Sequence, residues 1–280
     1  MNSNQPGMFS NSILVVAHPD DEILWFSSIM KQMDEILFCF CDYPSLPALG
    51  NARKKVLAEY PLDNISNLDI EESGSFSGAD WNTPTESPSG MAITQGRRIK
   101  LRYRKNFNIL EKLLAEKLRD YDNVFTHNPW GEYGHEDHVQ VYRAIKKVQQ
   151  QHAFQIWFSN YASNRSAKLM FNYISGFDSR YISLPTNPAM AQKIATLYKR
   201  HGCWTWYGDY HWFEQECFTQ DVLPTEDIKN YGHLFPINML KTDFPTQPWK
   251  KQSKLSLANK KIQHKLGRKL FSKKLEKKDC

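Results

Sequence analysis

The stretch SILVVAHPDDEILW, residues 12–25, joins a short apolar run to a histidine, a proline, two adjacent aspartates and a glutamate. A continuous apolar run rich in β-branched residues is typical of a strand that is buried on both faces of a sheet. Polar side chains directly after such a strand lie beyond its carboxyl end, where open α/β sheets bind their ligands. The stretch therefore predicts a buried strand that leads into a functional loop.

The first 160 residues continue this alternation of strands and helices. Further strands are predicted at EILFCF (35–40), NVFTHN (123–128) and AFQIWF (153–158). Helices are predicted over residues 22–33, 51–60, 97–120 and 135–150. Residues 72–96 show no period and predict a long loop of the kind that often covers an active site. We expect an α/β fold, namely a Rossmann-like three-layer domain with a mainly parallel sheet and a less regular C-terminal extension.

Composition narrows the class of protein. The chain has 280 residues, 41% of them hydrophobic, which is enough for a sizeable core. No apolar run approaches the roughly 18 residues that a membrane-spanning helix needs, and the N-terminus lacks the basic-then-apolar pattern of a signal peptide. The five cysteines are odd in number and show no C-x-x-C spacing, which argues against a disulfide scaffold. We expect a cytoplasmic protein.

Charge divides the chain into a body and a tail. Residues 250–280 carry twelve Lys or Arg against two acids, a local net charge of +10; the whole chain carries +6, so the remainder carries about −4. We expect one main domain over residues 1–248, with its active-site half at about 12–160 and an aromatic-rich part at about 161–248, followed by a tail at 249–280. The mildly acidic body argues against a nucleic-acid partner.

The tail has the pattern of a basic amphipathic helix. Apolar residues recur at three- and four-residue steps between lysines; they are Leu255, Ala258, Ile262, Leu266 and Leu270. Such a segment can lie on an anionic membrane, which would place the protein peripherally at the inner face of the membrane. A solvated tail is the alternative interpretation.

Two loops rich in histidine and acid are predicted to leave the same edge of the sheet. In the first, His18 and Asp21 lie three residues apart; in the second, His135 and His138 lie three apart at the start of a helix. A histidine and a carboxylate from one loop with a histidine from the other make a three-ligand site with a fourth position open, as in catalytic zinc sites. A divalent cation would also offset the repulsion between the adjacent acids. If Asp21 binds the metal, Asp20 is free to accept a proton from water.

The two motifs together resemble a known family. AHPDDE (17–22) with GEYGHEDH (131–138) resembles the PIG-L/LmbE family of metal-dependent N-deacetylases, which act on N-acetylglucosamine-type sugars attached to lipids, inositols or antibiotics. The first motif matches at every position. The second matches at Tyr133, Gly134, His135, Asp137 and His138, whereas Glu136 stands where many members have proline. The motifs span about the first half of the chain.

The resemblance implies a role for each matching residue. The implied metal ligands are His18, Asp21 and His138. Asp20 is the implied general base, His135 stabilises the oxyanion or assists departure of the amine, and Tyr133 is an oxyanion donor. The expected cofactor is one divalent ion, Zn²⁺ or alternatively Fe²⁺, since a set of two histidines and a carboxylate accepts either.

Further residues are candidates for support or substrate contact. Glu22, His127 and Asp137 are candidates for groups that support the ligands, with a hydrogen-bonded structural role as the alternative for His127. Arg53 follows a helix position that in the family often contacts substrate, although the family's usual acid three residues later is Val56 here. In the aromatic-rich segment HGCWTWYGDYHWF (201–213), the candidate substrate contacts are Trp204, Asp209 and His211; ordinary packing is the alternative.

The sequence thus predicts hydrolytic N-deacetylation of an N-acetylated amino sugar or glycoconjugate. The expected partner is a small-molecule or lipid-linked acetamido sugar, in the synthesis of a cell-surface polysaccharide or a lipid-linked glycan. The alternatives are another metal-assisted hydrolase of a sugar conjugate and a non-catalytic, metal-stabilised carbohydrate-binding protein.

Overall fold

A computed structural model describes residues 7–177, 180–222 and 234–248. The helices are α1 (Asp21–Trp25), α2 (Pro47–Ala58), α3 (Arg97–Lys117), α4 (Glu136–Gln149), α5 (Ala167–Tyr173) and α6 (Pro188–Arg200). The strands are β1 (Ser12–Val16), β2 (Glu35–Asp42), β3 (Ile65–Glu71), β4 (Glu86–Ser87), β5 (Gly90–Met91), β6 (Asn123–Thr126), β7 (Gln155–Ser159), β8 (Tyr161–Ser163), β9 (Tyr181–Pro185), β10 (Gln215–Gln220) and β11 (Asn238–Leu240). Short 3₁₀ turns lie at Met30–Gln32, Leu118–Asp120 and Ile174–Gly176.

Seven of these strands form one sheet, in the order β3-β2-β1-β6-β7-β10-β9. The five strands from β3 to β7 in this order are parallel, whereas β10 runs antiparallel to both β7 and β9. The predicted mainly parallel α/β sheet is therefore confirmed. Its strand β1 lies between two parallel neighbours, with Val15 opposite Leu37 on one side and Thr126 on the other.

The side chains of β1 alternate between two cores, one on each face of the sheet. Ile13 and Val15 belong to a core that also contains Leu110 of α3 and Val141 of α4. Leu14 and Val16 point to the opposite face of the sheet and belong to a second core. This core also contains Ile23 of α1, Val56 of α2 and Ile194 of α6. Helices thus cover both faces, as the predicted three-layer arrangement requires.

The predicted helix over residues 22–33 is wrong in its length. Helix α1 ends at Trp25, because the backbone N–H groups of Ser27 and Ser28 donate to the buried carboxylate of Glu216, at 3.1 and 2.8 Å, instead of continuing the helical ladder. Strand β3 was not predicted, because this edge strand is rich in polar residues and only partly buried. Helix α2 was predicted to begin at residue 51 and begins four residues earlier, at Pro47.

None of the helices within the described residues is long and apolar enough to cross a membrane. The predicted tail at 249–280 lies outside the described residues, so its amphipathic character stays a prediction.

Two leucines of α3 test the packing of this core. Leu110 is fully buried, whereas Leu101 is 55% exposed on the same helix. We expect Leu110→Ala to lower the free energy of unfolding by about 2–5 kcal/mol through lost burial and the cavity that remains. Leu101→Ala is the matched control and should change it by less than about 0.5 kcal/mol. Urea unfolding measures both, and equal effects would contradict the assigned orientation of α3.

Candidate active site

The two predicted loops leave the sheet side by side. Strands β1 and β6 are parallel neighbours, and Thr126 donates its hydroxyl to the carbonyl of Val15 at 2.9 Å. At the first residue after each strand, the N–H of Ala17 donates to Nε2 of His127 at 2.8 Å. These contacts fix the start of both loops, and therefore bring the HPDDE and GEYGHEDH segments together at the carboxyl edge of the sheet.

The carboxylate of Asp21 lies between two histidines. Its Oδ2 is 3.3 Å from Nδ1 of His18, and its Oδ1 is 3.2 Å from Nε2 of His138. Burial alone would raise the pKa of Asp21, but the charge of His138 and hydrogen bonds from the neighbouring histidines hold this pKa well below its usual range. Donor atoms bonded tetrahedrally to zinc at about 2.0–2.1 Å lie roughly 3.3–3.4 Å apart. The separation between Asp21 and each of the two histidines is therefore of the size found between two ligands of one cation.

His138 lies between the carboxylates of Glu132 and Asp21. Its Nδ1 is 2.7 Å from Oε2 of Glu132, which fixes the proton on that nitrogen. Its Nε2 is buried and has no hydrogen-bond partner in the described part of the chain. Burial alone would lower the pKa of His138, but Asp21 and Glu132 raise it to about 9. The Nε2 atom nevertheless lies 3.2 Å from Oδ1 of Asp21, so the imidazole faces a carboxylate at each nitrogen. A protonated imidazole in so negative a site can exchange its proton for a metal ion.

His18 faces acids on both sides. Its Nε2 is 3.4 Å from Oδ2 of Asp137 and 3.8 Å from Oε1 of Glu72. Burial would lower the pKa of His18, yet Glu72, Asp137 and Asp21 raise it to about 10.

Three overlapping sets of donor atoms lie within 4.8 Å of one another in the described part of the chain. They are His18–His135–His138, Asp21–His127–His138 and His18–Glu72–Asp137. The three ligands implied by the resemblance do not form one of these sets together, but each of them belongs to at least one. The cluster can thus present donors to a cation from several directions.

His127 and Glu132 hold this cluster in place through hydrogen bonds. His127 accepts the Ala17 N–H at Nε2, and its Nδ1 is 3.0 Å from Oε2 of Glu132. Both nitrogens are therefore in use, which favours the structural role for His127. Glu132 also accepts from the backbone N–H of Asn128 and the hydroxyl of Ser159. Glu132 lies inside the GEYGHEDH motif but was not among the site residues predicted from the sequence.

Asp20 points away from Asp21 and into a cavity. Its backbone has φ 115° and ψ −23°, a left-handed conformation that is costly for a residue with a side chain. Glu22 accepts the Asp20 N–H at 2.9 Å, and Thr205 donates its hydroxyl to the Asp20 carboxylate. Burial, and then the charge of Asp21, raises the pKa of Asp20 to about 6.

Glu22 is a buried anchor for this strained turn. Its Oε1 accepts from the hydroxyls of Tyr60 and Tyr198, at 2.8 and 2.9 Å, while Oε2 holds the N–H of Asp20. Burial raises the pKa of Glu22 to about 8. The glutamate of the motif thus positions Asp20 and does not face the cavity.

The cavity has a volume of about 270 Å³. It is lined by His18, Asp20, Tyr43, Leu49, Arg53, Glu72, Phe76, Tyr133, His135, Thr205, Trp206 and Phe244. Arg53 is buried and pairs with Glu72 in the cavity wall.

The aromatic-rich segment contributes two residues to the wall of this cavity. Thr205 and Trp206 line the cavity, whereas Trp204 does not; its indole N–H donates to the carbonyl of Tyr207 at 3.2 Å. Asp209 and His211 line two surface depressions that share no lining residue with this cavity.

His135 and Tyr133 bring two hydrogen-bond donors to this cavity. Nδ1 of His135 caps α4 by accepting the Asp137 N–H at 3.1 Å, which leaves the proton on Nε2. Burial, and then the charges of His18 and His138, hold the pKa of His135 well below its usual range. Burial raises the pKa of Tyr133 well above its usual range, so its hydroxyl stays protonated. Both groups can therefore donate to an anion.

Glu136 ties the long loop of residues 72–96 to the start of α4. Its carboxylate accepts from the N–H groups of Ser77 and Ala79 and from the indole of Trp81, at 3.0–3.1 Å. The guanidinium of Arg165 lies 3.5 Å from the same carboxylate. Glu136, which stands where many members of the PIG-L/LmbE family have proline, thus holds in place the loop that carries Phe76.

Two glycines of the motif are required by close packing. Gly131 has φ +67°, and a Cβ there would lie 2.6 Å from the carbonyl oxygen of His135. Gly134 has φ +89°, and its Cβ would lie 2.9 Å from the side chain of Arg165.

No protein-family model matches this chain, and no curated protein matches it in sequence. Among solved structures, it is similar to a deacetylase–teicoplanin complex from the biosynthesis pathway of teicoplanin, with a TM-score of 0.44 and 11% identity over 78% of this chain and 100% of that chain. It is also similar to the zinc-inhibited form of teicoplanin deacetylase, with a TM-score of 0.47, 13% identity and the same coverage. At these values the likeness assigns neither family nor activity.

The pairing of Glu132 predicts a pH-dependent stability. Burial would raise the pKa of Glu132, but His127 and His138 lower it to about 2, below the ordinary 4.5. A depressed pKa stabilises the fold above the unfolded value, and this stability is lost as pH falls through the window from about 4.5 to 2. We expect Glu132→Gln to lower the free energy of unfolding by about 3 kcal/mol at pH 7, with the difference shrinking toward about pH 3.

Urea unfolding between about pH 7 and pH 3 measures this difference. Glu71→Gln, on an exposed side chain, is the control and should leave the pH profile unchanged. A constant difference between Glu132→Gln and the wild type at every pH would contradict the assigned pairing.

Proposed function

We propose that this chain hydrolyses the N-acetyl amide of an acetylated amino sugar or glycoconjugate with the help of a divalent metal ion. One juxtaposition carries the proposal. The buried carboxylate of Asp20, which makes no ion pair with a described residue, faces the same cavity as His18, beside the linked Asp21 and His138. A proton acceptor next to a set of metal donors is the pairing that metal-assisted hydrolysis requires.

His18, Asp21 and His138 would hold the metal. The separations of 3.2–3.3 Å between Asp21 and each histidine, and the two imidazoles with one carboxylate as donors, fit the size and preference of zinc. When bound, such an ion lowers the pKa of a coordinated water from 15.7 toward roughly 7 and polarises the acetyl carbonyl. We propose Zn²⁺ as this ion, with Fe²⁺ as the alternative that the same donors accept.

Asp20 would act as the general base. Its raised pKa, about 6, lies near neutral pH, where a base is both ionised and able to hold a proton. Asp20 takes the proton from the attacking water as the new C–O bond forms at the acetyl carbon. It then returns this proton to the nitrogen when the C–N bond breaks, so that the products are acetate and a free amine.

His135 and Tyr133 would stabilise the developing oxyanion. The protonated Nε2 of His135 and the Tyr133 hydroxyl both line the cavity, and neither side chain bears a charge that has to be removed first. Donors that are already oriented in a buried site stabilise developing charge more strongly than water does.

The cavity walls support a sugar as the substrate. Phe76, Trp206 and Phe244 offer ring faces, while Arg53 and Glu72 offer charged hydrogen-bonding groups. A mixture of aromatic and polar walls suits the alternating apolar and hydroxyl faces of a pyranose. We propose a small-molecule or lipid-linked acetamido sugar, acted on by a cytoplasmic protein whose tail at 249–280 contacts the inner face of the membrane.

Asp20→Asn separates catalysis from metal binding. We expect acetate release to fall by about 10²–10⁴-fold, because the variant has no base, while the metal content stays at the wild-type level. The measurement is an acetate assay with acetamido sugars, nucleotide sugars and lipid-linked sugars, combined with elemental analysis. Asp63→Asn, on an exposed side chain, is the control and should keep both values.

Two outcomes would contradict the proposed function. One is an Asp20→Asn protein that releases acetate at the wild-type rate. The other is a wild-type protein with a full metal complement that releases no acetate from any of these sugars; it would favour the carbohydrate-binding alternative.

Metal binding should release protons. In the metal-free protein the pKa of His18 is about 10 and that of His138 about 9, so both are protonated at pH 7, and both must lose a proton to bind a cation. We expect about two protons to leave per zinc ion at pH 7, and the apparent affinity to rise with pH. Calorimetry in buffers of different ionisation enthalpy measures this number.

His138→Ala should release about one proton fewer and bind zinc more weakly. Wild-type binding with no dependence on the buffer would contradict the assigned ligands.

A further inference from the structure

The first half of α3 carries an unusual density of positive charge. Six of its first nine residues are basic, and no acid occurs in the helix before Glu111. The six are Arg97, Arg98, Lys100, Arg102, Arg104 and Lys105. None of them makes an ion pair with a residue that the structure describes, whereas Lys147, on the neighbouring helix, pairs with Glu111 at 2.7 Å.

An exposed leucine lies at the centre of these cations. Leu101 is 55% exposed. On a helix surface the neighbours of a residue are those three and four positions away, and for Leu101 these are Arg97, Arg98, Arg104 and Lys105. All four are exposed. We call Leu101 with these four cations the α3 cationic face.

This arrangement is unfavourable for the helix by itself. Cations near a helix N-terminus oppose the helix dipole, and like charges one turn apart repel each other. Helix α4 follows the ordinary pattern and begins with Glu136 and Asp137. An anionic partner bound to α3 would relieve both effects. The charge pattern therefore indicates a binding surface for an anion and does not stabilise the isolated helix.

The α3 cationic face lies at the same edge of the sheet as the candidate active site. The hydroxyl of Tyr103 in α3 donates to the carbonyl of Glu136, the first residue of α4, at 2.6 Å. Eight residues later in α3, Glu111 pairs with Lys147, eleven residues further along α4. The two helices are therefore parallel, and both begin at the carboxyl edge of the sheet. Because Arg97 and Arg98 precede Tyr103, they extend at least as far toward this edge as the start of α4.

We propose that the α3 cationic face docks the folded domain onto an anionic lipid bilayer, with Leu101 entering the interface. Cations supply attraction to acidic headgroups, and an exposed leucine among them is stabilised only where an apolar phase lies next to the charges. A nucleic acid or an acidic polysaccharide would satisfy the cations but would leave Leu101 in water. This surface is distinct from the tail at 249–280, and the proposal does not depend on the deacetylase activity.

A fluorescent probe at position 101 tests insertion directly. The full-length Leu101→Cys/Cys280→Ser protein is labelled with a polarity-sensitive dye; the cysteines of the described residues are buried and stay unlabelled. We expect a blue shift with vesicles of phosphatidylcholine and phosphatidylglycerol, and none with phosphatidylcholine alone. The control is Lys193→Cys/Cys280→Ser, labelled on an exposed position of α6, which covers the opposite face of the sheet and should show no shift.

Charge removal tests the same face by affinity. The full-length variant Arg97→Gln/Arg98→Gln/Arg104→Gln/Lys105→Gln should bind the anionic vesicles at least about tenfold more weakly than the wild type. The matched control removes four other exposed cations that make no ion pair with a described residue: Lys31→Gln/Lys55→Gln/Lys112→Gln/Lys193→Gln. It should bind within about twofold of the wild type. The α3 variant should unfold at the same or a higher urea concentration, since it loses like-charge repulsion.

Three results would overturn the proposal. In one, vesicles bind the protein but the probe at 101 does not shift. In another, the two quadruple variants lose affinity equally, so that only net charge matters. In the third, double-stranded DNA binds through the same four residues while anionic vesicles do not bind. None of these readouts involves acetate release. The membrane proposal can therefore be confirmed while the proposed function fails, and the proposed function can be confirmed while the membrane proposal fails.

Discussion

The buried carboxylate of Asp21 is the interaction on which the site depends. It lies within 3.3 Å of a nitrogen from His18 and within 3.2 Å of one from His138, and so joins the loops that follow β1 and β6. So many ionisable groups at the end of a sheet are costly to bury unless each has a partner of opposite charge. A cation between these three side chains, in place of the protons on the histidines, would satisfy that requirement and create a reactive centre.

The surrounding groups hold this arrangement without entering the cavity. Glu132 fixes His127 and His138 from one side, and Glu22 with Tyr60 and Tyr198 fixes the strained turn at Asp20 from the other. Asp20 and Asp21 are adjacent in sequence, yet their environments move their pKa values in opposite directions. Such a separation of two neighbouring carboxylates is a frequent property of catalytic sites, because it lets one carboxylate stay ionised while the other can hold a proton.

Much of the fold followed from the sequence, because buried parallel strands leave continuous apolar runs. The runs at 12–17, 35–40 and 123–128 correspond to β1, β2 and β6, and the 3.6-residue period of α3 gave its extent closely. The end of α1 could not be predicted, because Glu216, almost 190 residues later, takes its N–H groups. Strand β3 was missed because an edge strand need not be apolar.

The site was predictable where chemistry is local and not where it depends on tertiary contact. The pattern of histidines and acids pointed to His18, Asp20, Asp21, His135 and His138, and the structure brings them together, although their roles stay predictions. Trp204, Asp209 and His211 were chosen by residue type within an aromatic-rich segment. The cavity is lined instead by Trp206 of the same segment and by Thr205 and Phe244, because tertiary packing decides which side chains reach it.

Anomalous diffraction from crystals grown with zinc tests the central claim most directly. The account predicts one anomalous peak at the zinc edge, bonded to His18, Asp21 and His138 at about 2.0–2.2 Å, with the carboxylate of Asp20 outside the coordination sphere. A peak between His18, Glu72 and Asp137 with none at Asp21, or a zinc ion bonded to Asp20, would contradict it.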